Sequence, residues 1–302
     1  MEKRQAELLA CEYFHVVFTL PAELAALALQ NKRQIYDLLF RATADTLQSI
    51  PADPKHLGAQ IGFFFILHSW RQTLNFHPHL HCVVPGGGIS LDGSHWVSCR
   101  PGFFLPVKVL SRRFRKLFLR YLEQTYAAGR LQFYGDLQEL SDPESFASYL
   151  APLHDREWVV YAKTPFGGPD RVLNYLGRYT HRVAISNNRL QTLHNGQVAF
   201  AYKDYKHPQR PKLATLTADE FLRRFLLHVL PDCFQRIRST AFSATGTARE
   251  IWSAAGNCSP CPCQSHHRNG ITENGRNNSP DTTRCDALIV IAARWCESRA
   301  SP

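Results

Sequence analysis

HPHLHCVVPGGG, residues His77 to Gly88, is the stretch on which the reading of this chain turns. Apolar and β-branched residues fill His79 to Val84, and Pro85, Gly86, Gly87 and Gly88 follow, so a strand with a glycine-rich hairpin exit is expected. Successive side chains of a strand point to opposite faces, which sets His79 and His81 side by side while Leu80 turns to the core. Two imidazoles on one face can hold one metal ion. A single histidine is more often a hydrogen-bonded strand residue, but the cluster His77, His79, His81 favours the metal site.

A catalytic metal needs a third protein ligand. His68 lies on the preceding strand, and a hairpin brings it beside the pair; Gln72, nearer the turn, is its competitor. An imidazole-rich site with open positions suits Mg²⁺ or Mn²⁺ when a substrate supplies phosphate oxygens, although the ligand type fits Zn²⁺ equally.

Outward from this stretch the periodicity alternates between strand and helix. Glu12 to Leu20 predicts a strand stopped by Pro21, and Pro21 to Ile50 predicts one helix with Pro21 in its first turn. Gln60 to Trp70 is apolar nearly throughout, as a strand covered on both faces should be. Val107 to Ala128 predicts a basic amphipathic helix carrying Arg112, Arg113, Arg115, Lys116 and Arg120. Trp158 to Ala162 predicts a strand, Asp170 to Tyr179 a helix, Arg182 to Ser186 and Gln197 to Lys203 strands, and Leu216 to Val229 a closing helix. Hairpin-linked strands among helices give an α+β fold with a central antiparallel sheet flanked by helices.

A second constellation is Asn174-Tyr175-Leu176-Gly177-Arg178-Tyr179. On a helix, residues four apart share a face, so Tyr175 and Tyr179 can address one phosphate. A phenol with a pKa near 10 attacks poorly at neutral pH unless the phosphorus is made more electrophilic, which a divalent metal on the nonbridging oxygens does. Alone, such a pair is more often a packed aromatic stripe. Lys163, Arg171, Arg178 and Arg182 surround it, with Arg189 further on, and a Phe166-Gly167-Gly168-Pro169 turn precedes it. The run from Tyr202 to Arg210 interleaves aromatics with Lys203 and Lys206, as grooves for single-stranded nucleic acid do.

The formal net charge is +10, all but one unit of it before Ser239, which favours a polyanionic partner. No run approaches the roughly 20 apolar residues of a membrane span, and the N-terminus lacks the apolar core of a secretory signal, so a cytoplasmic protein is expected. Of nine cysteines, Cys11, Cys82, Cys99, Cys233 and Cys285 follow no spacing rule and read as free thiols. Cys258, Cys261 and Cys263 with His266 and His267 do not match a standard zinc finger. Composition changes at Ser239: residues 239–302 hold no lysine and no sustained period, and a disordered or frameshifted tail is expected after a catalytic domain at 1–238.

His77 to Gly88, YAKTPFGGPDRVLNYLGRYTHRVAISNNRL (Tyr161 to Leu190) and ADEFLRRFLLHVLP (Ala218 to Pro231) together closely resemble the two-tyrosine rolling-circle transposases of bacterial insertion sequences, within the His-hydrophobe-His endonuclease superfamily. The resemblance covers about Tyr13 to Arg238. It implies a central antiparallel sheet, His79 and His81 as metal ligands, and Tyr175 and Tyr179 as nucleophiles that form a 5′-phosphotyrosine link to single-stranded DNA at the element's ends without a nucleotide cofactor. The alternative is a degenerate copy that binds single-stranded DNA uncut. Family members usually carry a cysteine-rich zinc module before the strand matched by Glu12 to Leu20, and the sequence starts at that strand; truncation and a frameshift are expected in the gene.

Overall fold

A computed structural model describes residues 11–166, 184–203 and 212–240. β1 (Tyr13–Thr19) runs into Pro21, a 3-10 turn at Ala22–Leu24, and then two helices, α1 (Ala25–Gln30) and α2 (Lys32–Ala52). The single helix expected over 21–50 is broken at Asn31, whose backbone leaves the helical region at φ −121° and ψ 44°. Its side chain, 2% exposed, explains the break. Asn31 Nδ2 donates to the carbonyls of Leu27 and Gln132, and Oδ1 accepts from the Gln132 amide, so a buried amide competes with the helix for backbone partners.

The strand expected over 60–70 is two strands in different sheets. β2 (Ala59–Gln60) joins β5 (Gly87–Ser90) and β6 (Trp96–Ser98), whereas β3 (Phe63–Trp70) pairs with β4 (Phe76–Pro85). The three glycines are therefore more than a hairpin exit. Gly87 and Gly88 lie within β5, crowded from both sides: a Cβ on Gly88 would meet the Gln60 carbonyl oxygen at 2.2 Å, and one on Gly87 the Val97 carbonyl oxygen at 2.5 Å. Only glycine lets these backbones approach so closely.

Next come α3 (Val107–Ala127), as expected, and α4 (Pro143–Asp155), which the periodicity reading missed. Asp142 caps α4 by accepting from the Ser145 amide, Pro143 opens it, and Phe146, Leu150 and Leu153 bury one face. β7 (Val160–Phe166) extends beyond the expected 158–162. β8 (Leu190–His194), β9 (Gln197–Tyr202) and β10 (Lys212–Thr217) form a small antiparallel sheet, followed by α5 (Ala218–Leu226) and β11 (Ile237–Thr240). Leu216, expected in the last helix, belongs to β10, because Thr217 caps α5 by accepting from the Glu220 amide. The strand expected over 182–186 does not form in its described part: Ala184 has φ 54° and no strand covers 184–186.

The main sheet has the order β11-β3-β4-β1-β7, antiparallel throughout, so the α+β class and central antiparallel sheet are as expected. One face is dry. Phe14, Val16, Phe18, Phe65, Leu67, Leu80, Cys82 and Val84 project from it into a core with Leu39 and Leu47 of α2 and Phe114 and Phe118 of α3. β4 lies mid-sheet and contains Pro78, which cannot donate to a ladder. The β3–β4 register slips between His68↔His79 and Trp70↔Phe76, and this bulge accommodates the proline.

The small sheet and α5 close a second cluster in which Leu74, Ala184 and Phe200 pack with Trp70, Phe221 and Phe225. His228, 2% exposed, ties it to β3: its Nδ1 accepts from Ser69 Oγ at 3.2 Å and its Nε2–H donates to the Leu74 carbonyl at 3.0 Å. At the sheet edge, Arg238 pairs with Asp37 of α2 at 2.5 Å and lies over the Phe40 ring. Cys11, Cys82, Cys99 and Cys233 are free thiols. Among the described residues no helix is long and apolar enough to cross a membrane.

Candidate metal centre

The face of the main sheet opposite the core carries the imidazoles. His79 and His81 share it by strand parity, and the β3–β4 register sets His68 directly across from His79. Ring centroids are 5.5 Å apart for His68 and His79, 4.2 Å for His68 and His81, and 4.8 Å for His79 and His81. One ligand nitrogen from each lies within 4.8 Å of the other two. The hairpin thus gathers His68 with the pair, while Gln72 sits in the turn, its carbonyl accepting from Arg189. The Trp70 ring stacks on His68 at 4.7 Å and holds its plane.

Neutral imidazoles are the form a metal needs. Burial pushes the His79 pKa down to about 4 and those of His68 and His81 well below the ordinary value; neighbouring histidines push the latter two further. All three present lone pairs at neutral pH. His79 is oriented as metal-bound histidines usually are: Nδ1–H donates to the His77 carbonyl at 2.7 Å, which directs Nε2 outward. His77 itself is half-buried beside Arg71, with a pKa lowered to about 4 by burial and the charges of His79 and Arg71. The donor set and its geometry fit a divalent metal ion.

β1 adds a residue that sequence reasoning passed over. His15 stands opposite Lys163 of β7 and diagonal to His81, and its Nε2 lies 2.7 Å from His81 Nδ1. Its signal was present, a lone histidine on the odd-numbered face of a strand, but its neighbour was not.

Lys163 is exposed on this same face, with its ammonium 6.0 Å from the Tyr161 ring centre. Lys203 is exposed at the end of β9. Arg189 is built into the fold, donating to the carbonyls of Ala201 and Gln72. Tyr175, Tyr179, Arg171, Arg178, Arg182 and Lys206 lie outside the described residues, as does the tail beyond Thr240.

Residues 62–250 match the Y2_Tnp family, described as "Putative transposase". The chain is 62% identical over 242 residues to "Putative transposase y4qJ" of Sinorhizobium fredii (strain NBRC 101917 / NGR234), covering 80% of this chain and 61% of that protein. It is 30% identical over 244 residues to the "Transposase for insertion sequence element IS801" of Pseudomonas savastanoi pv. phaseolicola, covering 78% and 55%. The chain thus spans between 55% and 61% of the length of these relatives. Among solved structures, the conjugative relaxase TrwC in complex with oriT DNA overlaps 48% of this chain and 66% of its own, at 15% identity and a TM-score of 0.29. That overlap is too slight to bear on function.

Proposed function

This chain belongs to the Y2_Tnp family of transposases, and from that premise we propose that it cleaves and rejoins single-stranded DNA through Tyr175 and Tyr179, assisted by Mg²⁺ or Mn²⁺ at His68, His79 and His81. The observation that carries the reading is the convergence of three neutral imidazoles on one side of β4, in a family whose members move DNA. A divalent ion there supplies positive charge to the nonbridging oxygens of a scissile phosphate.

The residues of the chain do the rest. One tyrosine oxygen forms a bond to phosphorus as the P–O3′ bond breaks, its proton passing to solvent and the 3′ oxygen taking one up, so that a 5′-phosphotyrosine and a free 3′-hydroxyl result. The second tyrosine repeats the exchange before the first end is released. Lys163, on the imidazole face, neutralises a neighbouring phosphate. Arg171, Arg178, Arg182, Lys203 and Lys206 add further cationic contacts to the phosphates of the strand. Because each broken ester is conserved in the protein–DNA link, no nucleotide cofactor is required. The cytoplasm of a bacterium, where the element's DNA resides, is the place of action.

The test is incubation with Mn²⁺ and labelled single-stranded DNA bearing the element's ends. A covalent adduct is expected, lost in the Tyr175→Phe, Tyr179→Phe double variant and in His81→Ala. Adduct formation unchanged by the double variant would refute the nucleophile assignment. Salt-sensitive binding with no adduct would leave a protein that grips single strands without cutting them.

A further inference from the structure

We infer that His15 is a positioning residue for the metal centre, accepting a hydrogen bond from His81 and thereby fixing the tautomer and ring plane in which His81 offers Nε2 to the ion. The inference rests on the reading of His68, His79 and His81 as metal ligands, and not on the tyrosine chemistry.

The contact follows from strand pairing. β1 and β4 run antiparallel with Val17 opposite His81, so His15, two residues away, lies on the same face at a diagonal position. The His15 and His81 rings are within 9° of parallel with centroids 5.0 Å apart, and His15 Nε2 to His81 Nδ1 is 2.7 Å, a full hydrogen bond. His15 is 5% exposed, so water does not compete freely for this bond.

Ligation decides which atom carries the proton. An imidazole that binds metal through Nε2 must carry its hydrogen on Nδ1, and for His81 that hydrogen points at His15 Nε2. His15 Nε2 is then the acceptor, and its own hydrogen sits on Nδ1. His79 shows the same arrangement with a backbone acceptor, the His77 carbonyl. The two ligands of β4 are therefore oriented by different means, one through a main-chain atom that no substitution removes and the other through a side chain that can be deleted. Lys163 stands opposite His15 in the β1–β7 register, on the same face as the imidazoles. A histidine serving only to fill space would need neither the 2.7 Å approach nor the near-parallel rings.

The experiment measures metal binding on the full chain without DNA, using Co²⁺ absorption and Mn²⁺ calorimetry. His15→Leu, similar in volume and without an acceptor, is expected to weaken affinity roughly 10–100-fold and to alter the Co²⁺ spectrum. His15→Gln, whose amide oxygen can reach the Nε2 position, is expected to restore affinity to within about 3-fold and the spectrum with it. Metal-free melting of both variants serves as the control for packing. Wild-type affinity and an unchanged spectrum in a folded His15→Leu protein would overturn the inference.

If His15→Leu does not fold, imidazole ¹⁵N shifts of the Zn²⁺-loaded wild type decide. His81 and His15 should both be protonated on Nδ1, and a proton on His15 Nε2 overturns the inference. Failure of the wild type to bind any metal would remove the ligand reading and this inference together. Intact metal binding without DNA cleavage would remove only the tyrosine chemistry.

Discussion

Replacing His228 with glutamine should flatten the acid sensitivity of the fold by a calculable amount. His228 is 2% exposed, and burial, followed by the charge of Lys32, outweighs its bond to Leu74 and brings its pKa from 6.5 to about 4. Between about pH 6.5 and pH 4 the unfolded chain takes up a proton here that the folded chain refuses. The contribution is complete above pH 6.5 and is lost as pH falls toward 4. With those two values, linkage gives a loss of about 2 kcal/mol between pH 7 and pH 4.5 from this residue alone. Glutamine can still donate to the Leu74 carbonyl and accept from Ser69 but does not titrate. Urea denaturation at the two pH values should therefore show wild type losing about 2 kcal/mol more than His228→Gln, the histidines on the face of the main sheet being common to both. Equal losses would refute the reasoning, because they would mean that His228 is protonated without penalty in the fold.

Three further outcomes follow from packing and charge. Gly88→Ala should destabilise by at least about 3 kcal/mol in chemical denaturation, since the added methyl meets the Gln60 backbone rather than a flexible side chain; a near-neutral effect would contradict the β2–β5 approach. Leu80→Ala, fully buried mid-sheet, should cost about 2–5 kcal/mol by the same measurement. Lys163→Ala should weaken single-stranded DNA binding at low salt and reduce the slope of log affinity against log salt by about 0.7, with wild-type affinity at all salt concentrations counting against a phosphate contact.

The imidazole face was legible in the sequence because it depends on one local rule, the two-residue period of a strand. His68 was legible at one remove, since an antiparallel hairpin sets its register against His79. α4 was legible and unclaimed: Asp142 and Pro143, followed by Phe146, Leu150 and Leu153, form a capped amphipathic start. The break at Asn31 was not, because its partner Gln132 is about a hundred positions away. The roles of Gly87 and Gly88 likewise depend on Gln60 and Val97 closing from two other strands. His15 belongs with these, since a histidine in β1 acquires a neighbour in β4 only once non-local pairing is known. What the sequence reading missed at the centre was a contact between distant segments, never a residue type.

The parity of β4 has a consequence for how the centre comes into being. Odd-numbered His79 and His81 stand on one face, while even-numbered Leu80, Cys82 and Val84 are sealed in the core. A slip of one residue would drive both imidazoles into hydrocarbon and Leu80 into the open. The core thus acts as a proofreader during folding: a molecule that has closed it has aligned the imidazoles of β4 in the same event, and one that has not offers neither. The geometry of these imidazoles is inherited whole from the act of folding.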